Sequence, residues 1–311
     1  MAGKLAARVK GLSEAGFREA FGTEEQCRAV LEKLRWPKGF ICPACGHGGR
    51  AWLAERKLFQ CNRCKHQVSL TAGTIFHSTK LPLTTWFLAI HLIVTAKNGI
   101  SSIELGRRLG VKQTTAWTMK QKILQVMLQR EEQKPLSGRV EIDDAYLGGA
   151  RSGGKRGRGA AGKTPIVAAV ETTAERRPRK IKLLPVKGFR KKVVEKLARA
   201  HLVPGTTVVS DGLSCWPAVT KAGCRHFPMV TGSGRQTARW APFKWVNTTL
   251  GNIKAAITGT YRQLSPAHAP RYLASFAWRF NRRFQLDSML VRFIHSAART
   301  KPMPCRTLVA G

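Results

Sequence analysis

Three aspartates and one asparagine offer this chain its clearest chemistry. RVEIDDAYL holds Asp143 and Asp144, TTVVSDG carries Asp211, and Asp287 is the only other aspartate. Strand alternation brings Glu141 and Asp143 to one face, with Val140, Ile142, Asp144 and Tyr146 on the other. Asp211 closes the apolar run TVVS, at the strand terminus where α/β sheets place functional side chains. A turn aspartate in an Asp-Gly pair has the same local pattern, so Asp211 gains meaning only beside Asp143. Carboxylates paired on neighbouring strands hold Mg2+ or Mn2+ ions that activate an attacking oxygen and stabilise a leaving one. The helix that follows supplies no acid. It offers Asn247, whose carbonyl can ligate a hard cation without adding charge, and Lys254, two turns on and nearly on the same face, within reach of a phosphate. The competing reading of Asn247 is a helix cap.

The cysteines give the most specific local signal. Cys42 and Cys45 in CPAC and Cys61 and Cys64 in CNRC form two C-x2-C knuckles, each setting two thiolates on a tight turn. Together they match tetrahedral structural Zn2+. Two disulfides are the alternative, which a reducing compartment disfavours. A closed four-thiolate site folds its module and leaves no position for catalysis. His47, His66 and His77 read as ordinary turn or surface residues, and Cys27, Cys215, Cys224 and Cys305 as buried thiols without ligand spacing.

Around these residues the chain is strongly basic. Its 311 residues carry 54 Lys+Arg against 17 Asp+Glu, a net +37, while 43% hydrophobic content is that of a globular protein and excludes simple disorder. A polyanion is the expected partner, because each phosphate neutralised by Lys or Arg releases condensed counterions. The longest apolar stretches, such as Trp86–Ala96, are too short to span a membrane, and MAGKLAARVK lacks a signal-peptide apolar region. A soluble, intracellular protein is expected.

The elements that must position these groups follow from periodicity. Residues 1–37 form a helical element, with Phe17, Phe21, Cys27, Val30, Leu31 and Leu34 at helical spacing and a start near Thr23. Residues 38–80 make the metal-stapled unit, with short strands at Arg56–Gln60 and Gln67–Leu70. Residues 81–134 turn helical. There Ser101 caps a helix through Leu109, Gly110 permits the turn, and Lys112–Ile123 forms a second, polar helix, a helix-turn-helix pattern that also suits a plain packing hairpin. Residues 138–290 read β-β-β-α-β, then a strand-like CRHFPMV and a helix beginning near Asn247, which makes an α/β domain; residues 291–311 remain as a tail. Between the first two strands, ARSGGKRGRGAAGK reads as a hairpin loop suited to phosphate contact.

In this order the pieces resemble the insertion-sequence transposases of the ISXO-like group, which join a zinc ribbon and a helical DNA-binding segment to a catalytic domain. The resemblance runs from about Phe21 to Arg283 and rests on RWPKGFICPACG, CNRC with SLTAGTIFHSTKLPLTTWF, VEIDDAYLGG, VVSDG, and WVNTTLGNIKAAITGTYRQLSPAHAPRYLASFAWRFNRR. It implies an RNase H-like mixed sheet flanked by helices, preceded by the zinc ribbon and a helix-turn-helix-like segment. It implies Asp143 and Asp211 as the first two catalytic residues, with Asp144 at a position often acidic. Asn247 stands where the third residue is commonly Glu, and Lys254 is the basic residue after it; Asp287 does not match. It further implies Mg2+ or Mn2+ at Asp143, Asp211 and Asn247, with structural Zn2+ at the cysteines. The expected activity is cleavage at transposon ends and strand transfer into target DNA, by a homo-oligomer on double-stranded DNA in the bacterial cytoplasm, at the nucleoid. Two rival readings stand beside it: a catalytically silent DNA-binding derivative, and an RNA-associated basic zinc protein, against which the absence of an aromatic stacking platform argues.

Overall fold

The computed structural model describes residues 11–148, 163–229 and 241–310. The chain divides into two compact units, one of residues up to Ala96 with Ser102–Val126 and Phe284–Ala310, the other of Lys97–Ser101 and Met127–Arg283. Among the described residues no helix is long and apolar enough to cross a membrane.

The first unit opens with α1 (Glu14–Phe21) and α2 (Glu24–Arg35). Thr23 starts α2 through a reciprocal capping box: its hydroxyl accepts the Gln26 N–H at 3.2 Å, and the Gln26 side chain accepts the Thr23 N–H at 2.9 Å. A three-stranded antiparallel sheet follows, β1 (Arg50–Leu53), β2 (Leu58–Cys61) and β3 (Gln67–Val68), in the order β1-β2-β3. The sequence pattern places a strand from Arg56, but Lys57 adopts φ 52°, so residues 54–57 turn the chain and Leu53 pairs with Leu58. This hairpin creates β1, which periodicity alone did not show.

Helix α3 (Leu83–Thr95) buries Trp86, Phe87, Ile90, His91 and Val94. After it come α4 (Ser102–Leu109) and α5 (Gln113–Glu132). The turn between them depends on two glycines. Gly110 takes φ 66°, and a Cβ on Gly106 would sit 3.0 Å from the Val111 carbonyl oxygen, a contact tight enough that the turn would have to give by a few tenths of an ångström. The second helix thus runs nine residues beyond its expected end, because Leu124, Val126 and Met127 continue the buried stripe.

The second unit is built on β4 (Arg139–Leu147), β5 (Thr164–Thr172) and β6 (Pro178–Pro185), then α6 (Lys191–His201), β7 (Thr207–Ser210), β8 (Arg225–Pro228), α7 (Lys244–Thr260) and α8 (Ala269–Phe280). The sheet order is β6-β5-β4-β7-β8. Strand β5 is antiparallel to both its neighbours, whereas β7 runs parallel to β4 and β8 parallel to β7. Numbered within the sheet, the order is 3-2-1-4-5 with only the second strand reversed, the RNase H-like arrangement. Each face buries its own cluster. Ala145, Leu147, Ile166 and Val209 pack with Val246, Leu250 and Ile253 of α7 and Leu273 of α8. Val140, Ile142, Val167 and Val208 pack with Val194 and Leu197 of α6 and with Trp216.

Residues 291–310, read from the sequence as a tail, are mostly helical and cluster with the first unit: α9 (Met289–Ala298) buries Phe293 and Ile294, and α10 (Cys305–Ala310) buries Leu308. The apolar residues of α9 recur at helical spacing. The basic hairpin loop lies outside the described residues except for Lys163.

Candidate functional site

In the first unit the two knuckles converge. The Sγ atoms of Cys42 and Cys64 lie 3.6 Å apart, as do those of Cys45 and Cys61, and all four lie within 4.8 Å of one another. Each knuckle is built alike. Cys42 N–H donates to the His47 carbonyl and Cys61 N–H to the His66 carbonyl, while Gly46 (φ 72°) and Lys65 (φ 58°) turn the chain immediately after the second cysteine. A zinc ion with bonds of about 2.3 Å to tetrahedral thiolates sets sulfur atoms a little under 4 Å apart, so the four cysteines fit that ion. Arg50, ion-paired to Glu32, lies over the Phe59 ring and so ties α2 to the ribbon.

In the second unit β4 and β7 converge on a carboxylate cluster. Glu141 pairs in parallel register with Val209; two residues further along the same register Asp143 faces Asp211. Carboxylate oxygens of Asp143, Asp144 and Asp211 lie within 4.8 Å of one another, each side chain partly buried. Strand alternation had sent Asp144 to the opposite face. The ladder keeps that alternation, with Asp143 opposite Ala168 and Asp144 opposite Val167, yet a carboxylate oxygen of Asp144 still comes into the cluster, and its N–H donates to Asp143 Oδ1 at 2.8 Å. The Asp-Gly turn aims Asp211 rather than merely closing the strand: its Oδ1 accepts the Leu213 N–H at 3.1 Å and the Trp216 Nε1–H at 2.8 Å. Beside it, the Ser210 hydroxyl meets His226 Nε2 at 2.8 Å.

Burial pushes the Asp143 carboxyl up to about 7, with the charges of Asp144 and Asp211 adding to the effect and Lys254 opposing it. Lys254, exposed on α7, therefore acts electrostatically on the first aspartate. Three hard oxygen donors gathered this closely fit a divalent cation, which would relieve their mutual repulsion.

Asn247 is not the cap of its helix. Helix α7 starts three residues earlier than the sequence pattern placed it, at Lys244, and its N-cap residue Phe243 supplies no side-chain hydrogen bond. The missing acceptor comes from Glu141, whose Oε2 takes the Trp245 N–H at 3.0 Å and the Val246 N–H at 3.1 Å. The other oxygen pairs with Arg139 at 3.0 Å. Glu141 shares Asp143's face as expected, yet its carboxylate is committed to α7 and Arg139 rather than to the cluster. Asp287 belongs to the first unit and takes no part in the cluster.

Carboxylates at the carboxyl edge of an RNase H-like sheet, on a chain that also carries a four-cysteine ribbon, fit a nuclease of the DDE type. Residues 135–281 match the ISXO2-like transposase domain, and residues 22–67 match the transposase zinc-ribbon domain. Together they assign the chain to the zinc-ribbon insertion-sequence transposases of the ISXO2-like group. A protein in transposable element ISH50 of Halobacterium salinarum is 25% identical over 217 residues, covering 64% of this chain and 70% of that protein. A structure of a pre-cleavage Mos1 transpososome aligns over 70% of this chain and 80% of that one, at 9% identity and a TM-score of 0.24. A Mos1 transposase paired-end complex with left transposon end aligns over 82% and 98%, at 11% identity and a TM-score of 0.17.

Proposed function

We propose that this transposase binds the terminal inverted repeats of its own element, cleaves DNA there in a metal-dependent reaction, and joins the freed end to target DNA. The observation that carries the reading is the cluster of Asp143, Asp144 and Asp211 at the edge of the sheet. Asp143 and Asp211 would hold Mg2+ or Mn2+, with Asp144 supplying a third carboxylate where the helix offers only Asn247. The chemistry such ions would supply there, when bound, is activation of the attacking oxygen and stabilisation of the leaving one. Asn247 would complete a ligand shell without charge, and Lys254 would hold a phosphate oxygen close to the cluster. In the cleavage step a water oxygen attacks the phosphorus, the bond to the 3′ oxygen breaks, and that oxygen takes up a proton. In the transfer step the new 3′ hydroxyl attacks a target phosphorus and displaces a target 3′ oxygen. The zinc ribbon and the α4–α5 pair grip the ends, and a homo-oligomer processes both ends together.

The test incubates the full chain with labelled duplex carrying the element's ends, in Mg2+ and separately in Mn2+, beside Asp143→Ala, Asp211→Ala and Asn247→Ala. Nicking or strand transfer that vanishes in both aspartate variants supports the reading. Tight end binding with no cutting in either metal overturns it in favour of a silent DNA-binding protein, and stronger competition by structured RNA than by end duplex favours an RNA partner.

A further inference from the structure

A second basic feature lies at the carboxylate edge, on the face that α6 covers. Strand β6 runs in the same direction as β4, so both end at the edge where β7 delivers Asp211. The register is explicit: Tyr146 of β4 stands opposite Pro165 of β5, and the Val186 N–H donates to the Pro165 carbonyl at 2.9 Å. The chain leaving β6 thus emerges level with Tyr146, two residues past Asp144. Gly188 (φ 122°) turns it, and Phe189 packs edge-on against Tyr146 with ring centroids 5.6 Å apart. Helix α6 then starts at that edge and runs back down the face, anchored by Val194 and Leu197.

This anchored turn displays Lys187, Arg190, Lys191 and Lys192, all exposed. None of the four forms an ion pair among the described residues. Three of them sit at the start of α6, whose first turn contains no acid and whose N-cap, Arg190, provides no side-chain hydrogen bond. The placement runs against helix stability, since the amino end of a helix favours anions and repels cations. It is explained if an anion from outside the chain completes the arrangement, and polyphosphate is the anion that gains most from several closely spaced cations.

We infer that Lys187, Arg190, Lys191 and Lys192 form a phosphate rail for double-stranded DNA, on which the backbone next to the cleaved phosphate crosses the amino end of α6. The inference rests on the proposed reading of Asp143, Asp144 and Asp211 as the cutting site, and it names a DNA-contacting surface distinct from the ribbon and the α4–α5 pair. Phe189 against Tyr146 fixes the rail's distance from the cluster.

The test compares the full-length wild type with a variant carrying Lys187→Gln, Arg190→Gln, Lys191→Gln and Lys192→Gln. Its probe is duplex bearing the terminal repeat and its flank, read by phosphate-ethylation interference without catalytic metal and by nicking in Mn2+. In the variant, interference at the phosphates bordering the terminus is expected to disappear while interference inside the repeat persists. The slope of log KM for nicking against log salt should fall by about three to four, at roughly 0.9 per phosphate contact. The rate at saturating DNA should stay within about twofold, because the rail binds and does not react. Unchanged interference and salt slope overturn the rail. Because ethylation interference needs no cutting, loss of terminal interference in the variant upholds the rail even where the wild type fails to nick, an outcome that removes only the catalytic reading.

Discussion

Glu141 of β4 accepts the Val246 N–H of α7 at 3.1 Å, one residue ahead of Asn247 and two residues before Asp143 on its own strand. One buried carboxylate thereby fixes the helix bearing Asn247 and Lys254 against the strand bearing the first aspartate. Arg139 braces it, pairing with Glu141 and donating to the Pro242 carbonyl at 3.3 Å. The same device recurs in the other unit, where Glu24 accepts the Leu83 and Thr84 N–H groups at 3.0 and 3.1 Å for a helix whose N-cap, Pro82, has no polar side chain. Removing one partner from a buried charge pair leaves the other uncompensated, which costs about 3 kcal/mol or more. Glu141→Ala should therefore lower the urea midpoint sharply, whereas Glu141→Gln keeps an acceptor for the helix and should lose about half as much. Nicking should follow the same order. An alanine variant as stable and active as the wild type would show that α7 needs no such anchor.

The zinc centre gives a second expectation. Cys42 and Cys61 are buried while Cys45 and Cys64 are exposed, so a thiol-modifying mercurial reaches the site from one side and should release zinc in step with modification. Cys61→Ser removes a buried ligand at the end of β2 and should abolish stoichiometric zinc binding and weaken end-DNA affinity at least tenfold. Cys305→Ser, exposed and outside the knuckles, should retain both. Full zinc content in Cys61→Ser, measured by metal analysis after gel filtration, would remove Cys61 from the ligand set.

What the sequence made legible follows the range of the forces involved. The strand spans 139–147 and 164–172 were readable to the residue because two-residue alternation and apolar content are local properties. The knuckles were readable because metal geometry dictates their spacing. The start of α7 was misplaced toward Asn247 because its cap is a carboxylate more than a hundred residues upstream, which no local pattern records. Alternation puts Asp144 on the face opposite Asp143, as the ladder does, but it does not show that the Asp144 carboxylate still comes within 4.8 Å of the other two. Lys57 hid β1, since a left-handed turn at a lysine carries no glycine signal. The cations at the start of α6 carry no motif of their own, and only the register of β6 against β4 brings them to the edge that bears the aspartates.

His201, at the end of α6, makes the second unit acid-sensitive. Burial, with the nearby Lys182 charge adding to it, lowers its imidazole from 6.5 to about 4, and its Nδ1 is buried without a hydrogen-bond partner. As pH falls through this window the unfolded chain takes up the proton first, so the contribution is fully present above 6.5 and lost as pH falls through about 4. Melting temperature should drop between pH 7 and pH 4.5, and His201→Leu should reduce that drop. An identical drop in the variant would assign the acid sensitivity to other groups.

Asp143 has the opposite sign and links stability to metal. Burial first, then Asp144 and Asp211, raise its carboxyl from 3.8 to about 7. Between those values the folded chain holds a proton that the unfolded chain has released, so metal-free stability falls as pH rises through the window. A neutral isostere escapes this. In chelator at pH 8, Asp143→Asn should melt above the wild type, by roughly 3–6 °C for about 1–2 kcal/mol in a domain of this size, while losing all nicking. A divalent cation should reverse the ranking: Mn2+ replaces the proton, stabilises the wild type more at pH 8 than at pH 5.5, and shifts Asp143→Asn little. Scanning calorimetry of both proteins at the two pH values, with chelator and with Mn2+, separates the cases. If Asp143→Asn melts below the wild type in chelator at pH 8, the three carboxylates are not in electrostatic conflict and the cluster is not strained toward a cation.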